Sequence, residues 1–312
     1  MTEYVPGLAG VPATKSAISS IDGEKGILAY RGYSIQDLVE HSSFEETALL
    51  LMNGELPSPK ELSNFKNTLQ KRNEVKRKIR HLLWSLPPTG HSMDVLQTAM
   101  ATFYPDAGAS EPDSAYTQNA LIKIISNMST LVAMWTRISR GYDPIPPSNK
   151  MSYAENFMYM CFGEESDPEI INLLDASLIL HAEHTINAST FSTMVTASTL
   201  ANPFSSIASG VGTLAGPLHG NANENVLLML DEIGSAKNAR PWIENRLKNK
   251  QVIWGMGHRE YKTKDPRATI LEKMIKTYIK KNGLNLSNRF ETALEVESIC
   301  EELLSQKGVY PN

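Results

Sequence analysis

The sequence predicts a mostly α-helical protein with one short β-hairpin near its start. Three observations carry that reading. Helix-start signatures recur along the chain, each a serine or aspartate cap, often followed by proline. Two-residue alternation is confined to the first forty residues. The alternating strands and G-x-G-x-x-G loop of a dinucleotide-binding fold are absent, and so is any internal repeat of roughly 20–50 residues.

The hairpin comes first. Ile18–Ile21 and Gly26–Tyr30 are β-capable, and Asp22-Gly23-Glu24-Lys25 between them reads as a turn. Ser42-Ser43-Phe44-Glu45 then offers a capping box for a helix running through Leu49-Leu50-Leu51 to about Gly54. Ser58-Pro59-Lys60-Glu61 repeats the device, with proline at the first helical position. A third segment spans about Asp113 to Arg140 and stops at Gly141 and the prolines beyond it. Asp167-Pro168-Glu169 and Asp265-Pro266-Arg267 open two more helices; the second ends near Gly283, and a last helix covers about Leu286 to Gly308. Lys71–Arg80 is the one basic run and reads as a solvated helix face. Ser206–Gly216 is rich in small residues, which suits either close helix packing or room for a ligand.

Composition narrows the function classes. With 312 residues and 41% hydrophobic content, the chain can bury a large core without disulfide or metal support. Its 21% charged and 7% aromatic content argues against a disordered chain. A net charge of -4 gives no basic field for nucleic acid. No apolar run reaches the length a membrane span needs, and Met1–Pro6 lacks the features of a signal peptide. Cys161 and Cys300 stand alone, as small buried residues in a reducing cytoplasm do.

The chemistry concentrates in histidines. His181 and His184 lie three apart in LHAEH and share a face if that stretch is helical. No H-E-x-x-H and no third ligand accompany them, so no metal site is assigned. His219 and His258 each sit among glycines, which permit unusual backbone angles and close approach to a ligand. Arg267 follows His258 at a helix start, where a guanidinium could grip a carboxylate bidentately. Imidazoles with one arginine suit an acidic small molecule and chemistry by hydrogen-bond donation and proton transfer. Serine-hydrolase and P-loop motifs are missing.

Four stretches resemble citrate synthases, in the form found in the shorter bacterial type: GLAGVPATKSAISSIDGEKGILAYRGYSIQDL, FEETALLLMNGELPS, LHAEHTINASTFSTMVTASTLANPFSSIASGVGTLAGPLHG and GMGHREYKTKDPRA. The resemblance implies an almost wholly helical fold, with a large domain here covering 1–220 and a small one covering 221–312. It implies a cytoplasmic homodimer that condenses acetyl-CoA with oxaloacetate and hydrolyses the citryl thioester. No permanent cofactor is implied, coenzyme A arriving as the acetyl-CoA co-substrate. By motif, His184 and Arg267 would bind oxaloacetate, His219 would stabilise the enol of acetyl-CoA, and His258 would polarise and protonate the oxaloacetate carbonyl. Ile253, Trp254, Gly255, Met256 and Gly257 would meet the adenine of coenzyme A.

Three departures accompany the resemblance. Glu260 replaces a small β-branched residue, and Asn221 replaces a glycine, to which its tolerance of left-handed angles would suit it. The sequence stops at Asn312, before the segment in which the family carries its aspartate base. The expectation is therefore a fragment with an incomplete core and dimer surface and little turnover. Other readings are a 2-methylcitrate synthase using propionyl-CoA, a non-catalytic helical module binding dicarboxylates, and a histidine-based metal hydrolase.

Overall fold

The computed structural model describes residues 11, 14–103 and 114–311. The Met1–Pro6 segment, the Asp113 helix start and Asn312 lie outside the described residues.

The hairpin forms as expected. β1 (Ser19–Asp22) pairs antiparallel with β2 (Ile27–Tyr30), and β3 (Tyr33–Ser34) adds a short third strand. The Asp22 carboxylate accepts the Lys25 N–H across the turn. Leu28 and Tyr30 point inward and are fully buried.

Helices make up nearly everything else. α1 (Ile35–His41), α2 (Phe44–Asn53) and α3 (Pro59–Arg72) follow the hairpin. At α2 the cap is Ser43, whose hydroxyl accepts the Glu46 N–H, rather than Ser42. The expected partner Glu45 turns inward, 3% exposed, and its carboxylate takes the Tyr153 N–H instead. At α3 the capping box between Ser58 and Glu61 forms as the sequence predicts, with Pro59 in the first turn. The basic run is not one solvated face. It spans the end of α3, an irregular turn, and the start of α4 (Arg77–Ser85), because Val75 and Ile79 are pulled into the core.

α5 (Ser92–Ala101), α6 (Ser114–Ile138) and α7 (Tyr153–Phe162) come next. After them run α8 (Pro168–Leu180), α9 (Ala188–Ala197) and α10 (Pro203–Leu214). The largest core cluster joins α4, α5, α6 and α10, with Leu131, Met134, Trp135 and Phe204 at its heart. α9 and α10 pack so closely that a Cβ added to Gly210 would lie 2.4 Å from the Thr193 hydroxyl. The small residues of that stretch therefore serve packing.

The last helices are α11 (Ala222–Ile233), α12 (Ala239–Lys248), α13 (Pro266–Lys281) and α14 (Asn288–Leu304). α11, α12 and α14 enclose a second core around Ile243, Ile253 and Ile299. A third cluster gathers the hairpin, α1, α2 and the end of α8, with Ile270 and Leu271 of α13 against it. Asp167 and Asp265 cap α8 and α13 as the D-P pairs predict. Cys161 and Cys300 are both buried and unpaired, and burial raises the Cys300 thiol to about 11.

Candidate active site

Two loops and one helix start build the site. α8 stops at Leu180 because His181 caps it: the His181 N–H reaches the Ser177 carbonyl, and its ring Nδ1 lies 2.7 Å from the same oxygen. The chain from 182 to 187 is irregular, so His181 and His184 do not share a helical face. The turn is tight. Thr185 has φ +62, a left-handed angle that costs a β-branched residue about 1–3 kcal/mol. Glu183 holds that turn, its Oε1 accepting the Thr185 N–H at 2.7 Å and the Ser19 hydroxyl of β1 at 2.9 Å.

The second loop carries His258. Gly255 and Gly257 both have φ +82, so the glycines flanking this histidine are used as left-handed corners. The Gly257 N–H donates to the Tyr310 carbonyl, and Met256 bridges to Pro311. His258 Nδ1 accepts the N–H groups of Glu260, at 3.0 Å, and Tyr261, at 3.3 Å. An accepting Nδ1 places the neutral ring's proton on Nε2, which is then a donor.

Arg267 enters from the first turn of α13. Its Nε and Nη2 donate to both oxygens of the cap residue Asp265, the shortest bond being 2.6 Å. Asp265 is 3% exposed and holds its charge, because the guanidinium beside it outweighs the cost of burial. That pairing orients the guanidinium and leaves Nη1 and one Nη2 hydrogen for a second carboxylate.

These residues meet. The His184 and His258 rings lie 5.2 Å apart, edge on, and Tyr261 closes the triangle at 5.5 Å and 4.8 Å. Burial, with Arg267 and His258 adding to it, lowers His184 to about 4. Burial also lowers His258. Both imidazoles are therefore neutral at physiological pH, beside a fixed positive charge.

His219 lies on a separate element. It occupies the turn after α10, and its Nε2 lies 3.0 Å from the Ser189 hydroxyl at the start of α9. Asn221 has φ -69, so its tolerance of left-handed angles is not used. Ile253 is buried in the second core, with Trp254 and Met256 packed on it, and Gly255 and Gly257 turn the chain outward. The Glu260 side chain is exposed; its contribution is a backbone carbonyl that lies against Gly23.

Three site features escaped the sequence reading: Tyr261, the clamp of Asp265 on Arg267, and the Ser19–Glu183 tie. The aspartate was visible only as a helix cap. Among the described residues, no three His, Cys, Asp or Glu side chains gather as a metal site would require. Among them also, no helix is long and apolar enough to cross a membrane.

Known proteins share this architecture. A family model described as "Citrate synthase, C-terminal domain" matches residues 7–312. The chain is 47% identical to a citrate synthase of Acidithiobacillus ferridurans, over 99% of this chain and 82% of that protein. It is 48% identical to a citrate synthase of a Synechocystis strain, over 99% of this chain and 78% of the relative. A solved citrate synthase of Thermoplasma acidophilum, in ternary complex with carboxymethyl coenzyme A and oxaloacetate, superposes with a TM-score of 0.91 at 30% identity. That match covers 97% of this chain and 80% of the other.

Proposed function

The chain belongs to the citrate synthase family of condensing acyltransferases, and from that premise we propose that the His184–His258–Arg267 cleft binds oxaloacetate for condensation with acetyl-CoA. The observation that carries the proposal is one cluster of two neutral imidazoles beside an oriented guanidinium. Arg267 presents its free N–H groups to a carboxylate of the dicarboxylic acid. His184 adds a neutral hydrogen-bond donor. His258, with its proton on Nε2, donates to the ketone oxygen and so polarises the carbonyl carbon.

Once a general base has taken a methyl proton from acetyl-CoA, the enolate carbon attacks that carbonyl. The new C–C bond forms, the π electrons move to oxygen, and the Nε2 proton of His258 goes with them. His219 serves the other reactant. The Ser189 hydroxyl donates to Asn187 Oδ1 and so accepts from His219 Nε2, the N–H that would turn to the thioester oxygen on which enolate charge builds. Water then hydrolyses the citryl thioester. The adenine of coenzyme A meets the backbone of Ile253–Gly257, where two left-handed glycines bring the main chain to the surface. Coenzyme A enters as co-substrate, and no permanent cofactor is assigned.

The finer organisation follows the same reading. A boundary near residue 220 separates a large and a small domain, supported by a core built wholly from residues after it, Met229 to Leu304. The active form is a homodimer. α9 buries none of its residues, and Phe191, Met194, Val195 and Leu218 are exposed along and beyond it. A second copy covers that face. Two unpaired cysteines suit a cytoplasmic setting.

Isothermal titration with oxaloacetate tests the central claim. The chain should bind, and His184→Ala and Arg267→Ala should each weaken binding about tenfold or more. Undiminished binding by both variants would refute the site.

A further inference from the structure

Tyr261 is the residue at this site that no reaction step uses. Its side chain is 1% exposed, so it cannot reach bulk water. Among the described residues its hydroxyl has one partner, His184 Nε2, at 3.1 Å. Its ring packs against both His184 and His258. A buried hydroxyl without an acceptor carries a desolvation penalty. The phenol also keeps its proton, since burial pushes it up to about 12. With no other acceptor for it among the described residues, the hydroxyl donates and Nε2 accepts.

We propose that Tyr261 is a positioning residue that locks His184 as the Nδ1–H tautomer, leaving Nδ1 as the only ring donor offered to oxaloacetate. The inference rests on the oxaloacetate site proposed above. Neutral imidazole has one N–H, and the hydrogen bond at the other nitrogen decides where it sits. An unlocked ring would present a lone pair to a carboxylate part of the time and repel it.

The backbone makes the lock rigid. The same Tyr261 whose hydroxyl faces His184 donates its main-chain N–H to His258 Nδ1. Tyr261 thus sets the proton position on one ring through its side chain and, together with Glu260, on the other through its main chain. A phenylalanine would keep the packing and the main-chain bond and remove only the tyrosine's grip on His184.

Two measurements on Tyr261→Phe test this. Long-range proton–nitrogen correlation spectra of the histidine-labelled chain, without ligand, should show His184 in the unsubstituted protein as a single Nδ1–H tautomer near pH 7. In the variant the His184 signals should move toward an average of the two tautomers while those of His258 stay put. Titration should show oxaloacetate affinity falling about three- to tenfold. An unchanged His184 tautomer, whether or not affinity falls, would overturn the proposal in favour of a packing role. A changed tautomer with unchanged affinity would overturn it too. The spectra need no ligand, so a chain that fails to bind oxaloacetate would refute the substrate assignment and leave the tautomer test standing.

Discussion

Asp175 is a charge held where water is scarce. Its carboxylate accepts the Phe44 N–H at the start of α2 and lies near the buried Glu45. Desolvation, then repulsion from Glu45, pushes it up to about 6, against a pull from the Phe44 N–H and Lys66. Between pH ~4 and ~6 the folded chain therefore holds a proton that the unfolded chain has released. The stability this confers is present at the acid end and is lost as pH rises through 6. Asp175→Asn keeps an oxygen for Phe44 and removes the charge. It should stabilise the protein by on the order of 1–2 kcal/mol at pH 8 and by little at pH 4. Denaturant unfolding at both pH values checks this, and equal gains at the two would contradict it. His184 runs the other way: lowered to about 4 from 6.5, it costs stability as pH falls through that window. The residue scale also marks where sequence reading succeeds and stops. His258 and Arg267 are legible because glycines and a D-P cap announce them locally. Tyr261 carries no local mark, and its partner His184 lies 77 positions away.

Elements were legible where their ends are written in short-range chemistry. The capping box of α3 and the aspartate caps of α8 and α13 depend on residues three or fewer apart, and all three form. α2 starts one residue late because a distant backbone amide, that of Tyr153, claims Glu45. The end of α8 likewise depends on a distant residue. Its last carbonyls are met from outside the helix, by the Tyr30 hydroxyl lying 3.1 Å from both the Ile179 and the Leu180 oxygen. That bond meets the Leu180 oxygen, while the Ile179 oxygen also takes the Ala182 N–H. Tyr30→Phe should therefore cost about 1–3 kcal/mol, since the Leu180 carbonyl it leaves is buried. Thermal and urea unfolding would register the loss; a change below about 0.3 kcal/mol would show that something else satisfies that oxygen.

At the scale of the whole molecule, the hairpin is the part that both histidine loops share. Ser19 of β1 reaches Glu183 beside His184. At the turn, the Gly23 carbonyl accepts the Lys262 N–H, four residues beyond His258. The fit there is close: a Cβ on Gly23 would stand 2.0 Å from the Glu260 carbonyl oxygen, and one on Gly26 would stand 2.8 Å from Thr263. Backbone oxygen cannot yield as a side chain can, so Gly23→Ala must push the His258 loop away. The expected outcome is a fall in oxaloacetate affinity of about tenfold or more, with overall stability changing by about 1 kcal/mol or less. Titration beside a melting curve separates the two, and intact affinity would show the loop finding its place without the hairpin. None of this was readable in advance. A turn sequence states that a hairpin forms; it does not state what the hairpin leans on.

The hairpin also sets a clock. Ser19 leaves the ribosome long before the residue it must hold, which lies 164 positions further along the chain. At roughly 5–20 residues per second, about 8–30 s of synthesis separate the two. During that interval β1 and β2 can pair but have nothing to brace, and the substrate cleft does not exist. The hairpin is thus made well before its working contacts, and a nascent chain becomes able to recognise a dicarboxylate only after Arg267 has been added.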